Sequence, residues 1–188
     1  MSGWEERLAA ELDDLEARAE AAFDEERAEE LADRVRAEYA RVDLAGRLAA
    51  SLGTPLTLDV VGVGMLGGRL ERAGSGWVLM GRDTVEWLVF TPAVGAVLGA
   101  SERSVPAVAR PATARLGPAS VLRAWEEEGG GCVVHRRDGA RHEGVLRRVG
   151  ADFVELVTAG PEHDVGPGGV PVLLPWTALA AVRRDVPG

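Results

Sequence analysis

The sequence predicts an α+β chain: an acidic N-terminal helical segment followed by two small, strongly bent five-stranded barrels, each preceded by a short helix. Three observations carry this reading. Residues 1–43 contain no Gly or Pro after Gly3 and are rich in Ala, Glu, Leu and Arg, the strongest helix formers. Beyond Gly46 the chain breaks into apolar runs of four to six residues separated by glycines, the pattern of short strands and turns. Residues 44–98 and 117–183 read as two copies of one unit.

The N-terminal segment places Trp4, Leu8, Leu12, Leu15, Ala19, Ala22 and Phe23, then Leu31, Val35, Tyr39 and Val42, at spacings of three and four, which predicts an apolar helix face in need of cover. Its partner is either the rest of the chain or a second helix in a coiled coil, although the row is interrupted around Glu25 to Glu30. Residues 1–43 hold 15 acidic and 6 basic residues, and the remainder holds 15 of each, so the net charge of −9 resides entirely in this segment. An acidic chain repels nucleic-acid phosphates at long range.

Sliding the sequence by 76 positions aligns Leu56 with Cys132, Leu58 with Val134, Gly68 with Gly144, Leu70 with Leu146, Trp77 with Phe153 and Met80 with Leu156. Further on the offset becomes 85, pairing Leu88 with Leu173, Val94 with Leu179 and Val97 with Val182. The second copy therefore carries nine extra residues, assigned to a Gly- and Pro-rich loop from Thr158 to Pro171. Leu44, Leu48 and Leu52 predict a short helix before the first copy; Val121, Leu122 and Trp125 predict one before the second. The boundaries that follow are 1–43 for the helical segment, 44–98 for the first barrel, 99–116 for an Ala/Pro/Arg-rich linker and 117–188 for the second barrel.

The stretch Val133-Val134-His135-Arg136-Arg137-Asp138-Gly139, then Gly144-Val145-Leu146 through Asp152-Phe153-Val154-Glu155-Leu156, resembles the first motif of the Sm-like (LSm) barrels. Leu174-Pro175-Trp176-Thr177-Ala178-Leu179 is similar to that family's closing strands, and SH3-like small barrels share the bent Gly-x-Leu strand. The resemblance implies a helix leading into a five-stranded sheet, curved at Gly68 and Gly144, where a missing Cβ permits a sharp bend. It also implies association through edge strands. The RNA-pocket residues of the family are absent: the chain contains no Asn, and neither closing region contains Arg-Gly.

Gly62-Val63-Gly64-Met65-Leu66-Gly67 fits G-x-G-x-x-G, but a dinucleotide site needs a helix opening at its third glycine, and Gly68, Gly74 and Gly76 leave no room for one. His135 and His142 are placed to face each other across the hairpin at Asp138-Gly139 without a third metal ligand, and His163 lies in the long loop. Solvated surface histidines are the expected reading. Gly74-Ser75-Gly76 lacks the spacing of a nucleophile elbow. No catalytic residue, cofactor site or metal site is predicted, and an enzyme is not expected.

Cys132 is the only cysteine, which excludes an internal disulfide, and no apolar run approaches the roughly 18 residues of a membrane span. A cytoplasmic chain without membrane or small-molecule partners is expected. All 21 basic residues are arginine. Five of them, Arg136, Arg137, Arg141, Arg147 and Arg148, cluster in one hairpin and are the candidate RNA contacts. The non-alternating runs Trp77-Val78-Leu79-Met80, Trp87-Leu88-Val89-Phe90 and Val172-Leu173-Leu174 demand cover on both faces, which nominates Trp77, Leu79, Trp87, Val89 and Leu173 as interface residues. The function expected is a protein-interaction or self-association module, with RNA binding through the arginine hairpin as the alternative.

Overall fold

Strong helix formers without a break build one helix, α1 (Gly3–Tyr39), in the computed structural model, which describes residues 3–158 and 169–186. Met1–Val42 and Asp43–Gly188 form two separate units. Trp4, Leu15, Phe23, Leu31, Val35 and Tyr39 are all exposed on α1. Their row does not stay on one face. At about 100° per residue, each four-residue step from Leu15 through Phe23 and Leu31 to Tyr39 advances by about 40°, so the row winds around the helix. A winding row cannot supply the straight seam of a long coiled coil.

The second unit opens with α2 (Leu44–Ala50), whose N-cap is Asp43: its carboxylate accepts the Gly46 N–H at 2.7 Å. Then follow β1 (Pro55–Val60), β2 (Gly64–Gly74), β3 (Trp77–Arg82), β4 (Val85–Phe90) and β5 (Val94–Leu98). Helix α3 (Ala119–Glu128) leads into β6 (Gly131–Arg136), β7 (Arg141–Val149), β8 (Phe153–Thr158), β9 (Val170–Pro175) and β10 (Leu179–Asp185). The i, i+1, i+4 placement of Val121, Leu122 and Trp125 puts them on one buried stripe of α3, and Gly129 at φ 75 ends that helix. The segment between β5 and α3 is fastened to α2: Val105 N–H donates to the Gly46 carbonyl, and Ser101 N–H to the hydroxyl of fully buried Ser51.

The two closed five-stranded barrels, and with them the Sm-like and SH3-like assignment, are not what forms. All ten strands make one open antiparallel sheet in the order β5-β1-β2-β3-β4-β10-β6-β7-β8-β9. The free edge of β4 is taken by β10, which pairs β6 on its other side. Among the described residues β5 bonds only to β1 and β9 only to β8, so the ladder ends at both instead of closing. The ladder is irregular two residues or more beyond Gly68 and Gly144. Register shifts interrupt β2·β3 between Leu70 and Arg72, and β7·β8 between Leu146 and Arg148. A Cβ on Gly68 would stand 2.9 Å from the Gly81 carbonyl oxygen, and one on Gly144 would strike the Val157 carbonyl.

The continuous apolar runs of β3 and β4 are explained by two cores on opposite faces. Trp77 opposite Phe90, and Leu79 opposite Leu88, point into a core with Trp125, Val134, Leu156 and Val182. Val78 opposite Val89, and Met80 opposite Trp87, point into the other, with Leu48, Leu58, Leu70 and Ala181. Strands with both faces covered do not alternate. Cys132 is buried in the first core, and burial pushes its thiol up to about 11.

Candidate functional site

Four of the five nominated interface residues belong to the chain's own interior. Trp77, Leu79 and Val89 are buried and Trp87 is packed against the second core; their cover is internal. Leu173, on β9, is 61% exposed. Among the described residues its neighbours across the sheet lie on β8 alone, where Leu173 stands opposite Glu155.

The arginine hairpin is largely engaged within its own unit. Arg136 pairs with Asp138, Arg147 with Glu155 at 3.0 Å, and the Arg137 guanidinium donates to the Pro92 carbonyl at 3.0 Å. Arg141 and Arg148 are exposed and carry no ion pair among the described residues. Trp176 is half-buried with its Nε1 unpaired among those residues.

His135 and His142 do not face each other. The β6·β7 register sets Val134 opposite His142 and His135 opposite Arg141, which sends the two imidazoles to opposite faces of the sheet. Neither is a solvated surface residue: both are half-buried. The His135 ring lies 5.2 Å from that of Trp87. Burial lowers its pKa below the ordinary 6.5, and the charges of Arg141 and Arg183 act in the same direction. His163 falls outside the described residues.

Between the native and unfolded pKa values of His135, the unfolded chain binds the extra proton, so stability falls as pH drops from about 6.5 toward the native value. Thermal melting of His135→Gln against the parent from pH 7.5 to 5 should show a shallower loss for the variant. Equal slopes would remove His135 as the cause.

G-x-G-x-x-G is a turn and strand, not a phosphate cradle. Val61–Val63 connect β1 to β2, with Gly62 at φ 77 and Gly64 at φ 94. A Cβ on Gly62 would run into the Arg136 carbonyl and lie 2.9 Å from the Arg137 carbonyl oxygen and the Gly139 nitrogen. The glycine lets one hairpin turn press on the other, a use the linear motif does not disclose.

Sequence reasoning did not find an open apolar groove of about 710 Å³ lined by Leu44 and Leu48 of α2, Ala73 and Trp77 at the β2–β3 turn, and Val108 and Arg115 beyond β5. Trp77 Nε1 donates to the Leu116 carbonyl at 2.7 Å and fixes its floor. At one end Arg110 pairs with Asp43, and this guanidinium, with the Gly46 N–H, holds the Asp43 carboxyl below its ordinary pKa. The signal was present in the Asp43-x-x-Gly46 cap, but its partner Arg110 is 67 residues away. Among the described residues no three His, Cys, Asp or Glu side chains converge in a metal-holding group, and no helix is long and apolar enough to cross a membrane.

In comparison with known proteins, no family model matches the chain, and no curated protein matches it.

Proposed function

We propose that this chain is a non-catalytic protein-interaction and assembly module in which a rigid two-faced sheet presents its end strands to other chains. The observation that carries this is the composition of one of those ends. β5 reads Val-Gly-Ala-Val-Leu, with neither charge nor proline, and its outer edge bonds to nothing among the described residues. Natural edge strands that must stay single are blunted by charge, proline or bulges; β5 carries neither charge nor proline, and its one irregularity is the register shift against β1 at Asp59/Val60. The apolar groove beside α2 is a second surface of the same character.

RNA binding through the arginine hairpin has less support, because Arg136, Arg137 and Arg147 already have partners within the unit. The two readings separate in one comparison. Replacing Arg136, Arg137, Arg147 and Arg148 by Glu should leave protein association unchanged when complexes are sized by light scattering. Retention of a single-stranded RNA on filters, falling steeply with salt and abolished by the same substitutions, would overturn the proposal.

A further inference from the structure

We infer that the partner is a second copy of this chain, joined head to tail: the outer edge of β9 in one copy pairs with the outer edge of β5 in the next. This rests on the interaction reading above and names its partner.

The chain already contains one example of the junction. The ladder register of β1·β2, with Leu56 opposite Gly68 and Leu58 opposite Leu66, recurs in β6·β7 as Cys132 opposite Gly144 and Val134 opposite His142. β2·β3 pairs Leu70 with Met80, and β7·β8 pairs Leu146 with Leu156. β3·β4 pairs Val78 with Val89, and β8·β9 pairs Val154 with Leu174. β1·β5 pairs Leu58 with Val97, and β6·β10 pairs Val134 with Val182. Strand for strand, β9 stands where β4 stands, and β5 where β10 stands.

Inside the chain β4 and β10 pair with each other, setting Leu88 opposite Val182 and Val89 opposite Ala181. Their counterparts β9 and β5 are the two unpaired ends. Carrying the register across sets Leu173 opposite Val97, Leu174 opposite Ala96 and Val172 opposite Leu98. Leu88 and Ala181 are 0% exposed, whereas their counterparts Leu173 and Ala96 are exposed, Leu173 to 61%. At these two positions the internal junction seals what the ends leave open.

The two edges are also complementary in hydrogen bonding. Trp176 N–H bonds to the Asp152 carbonyl, on the β8 side; by the alternation of an antiparallel ladder, Pro171, Leu173 and Pro175 direct their main-chain groups outward. Two of these are prolines and donate nothing, so the β9 edge offers three carbonyls and one N–H. Two such edges cannot satisfy one another. β5 has no proline: the Leu70 N–H bonds to the Thr54 carbonyl, so Leu58 turns its main chain to β2 and its β5 partner Val97 faces outward, as does Gly99 just past the strand, and these two supply missing donors. A contact between different surfaces is heterologous and gives a closed ring or an open chain of copies.

The test uses the full chain and two variants, Val97→Lys and Leu173→Lys, each blocking one edge, sized by sedimentation equilibrium. The parent should form assemblies larger than a dimer, and each variant alone should be monomeric. An equal mixture should form dimers only, because each variant retains the edge the other lacks. Val97→Pro, which removes an outward N–H and adds no charge, should behave as Val97→Lys if the lysine disturbs folding. A parent that stays monomeric overturns the inference, as does either variant assembling alone to the parent's size. If the parent is monomeric yet binds a different protein through β5 or β9, only this inference fails and the interaction reading stands.

Discussion

Trp77→Ala should destabilise the sheet unit by about 3–5 kcal/mol, the cost of emptying a large aromatic from a packed core. Trp77 is 1% exposed and sits at the start of β3, where it packs with Phe90, Leu122 and Trp125 while its indole N–H satisfies the Leu116 carbonyl. One side chain thus ties β3 and β4 to α3 and to the segment leading into α3. Trp77→Phe keeps most of the apolar volume and loses the hydrogen bond, which is worth about 1 kcal/mol. Urea unfolding followed by circular dichroism should rank parent, Phe and Ala in that order. An alanine variant within about 1 kcal/mol of the parent would mean that the core around α3 is not packed as described.

Alanine at Gly62 should cost more than alanine at any other glycine of the G-x-G-x-x-G run. The left-handed backbone costs a residue with a Cβ about 1–2 kcal/mol, and at Gly62 the new methyl also meets backbone of the other hairpin at Arg136, Arg137 and Gly139. Gly64, at φ 94 with nothing within 4 Å, should show only the conformational cost. Gly67 has only Thr57 Oγ1 at 3.7 Å, an ordinary contact, so Gly67→Ala should be neutral or stabilising by up to about 1 kcal/mol, since glycine weakens a strand interior. Thermal melts of the three variants give the order directly. A nucleotide cradle would instead show equal stability and lost ligand binding.

The local elements were legible because their causes are local. The Leu44–Leu48 spacing specifies α2; Val121, Leu122 and Trp125 specify α3. Continuous runs at Trp77–Met80 and Trp87–Phe90 correctly demanded two covered faces. What the sequence did not disclose was which neighbour takes each strand edge. Nothing in Val85–Phe90 states that its second edge belongs to β10 rather than to β5, because main-chain groups are the same in every strand. Assuming closure within each copy produced barrels where the chain builds one open sheet.

The interface nominations failed for a related reason. Hydrophobicity identified residues that need cover, and four of the five find it inside the chain. Leu173 differs only because β9 comes last in the strand order, a property of topology and not of composition. The histidines show the same limit at finer scale: His135 and His142 are symmetric about the Asp138-Gly139 turn in sequence, but a register that pairs His135 with Arg141 places them on opposite faces.

Native-state hydrogen exchange as a function of low denaturant tests most directly whether β10 makes one sheet out of ten strands. Amides of β4, β10 and β6, together with those of β3 and β7, should merge into a single isotherm at the global unfolding free energy. Exchange of β6–β9 in one cooperative step and β1–β5 in another, with β4 and β10 losing protection separately, would contradict the single sheet.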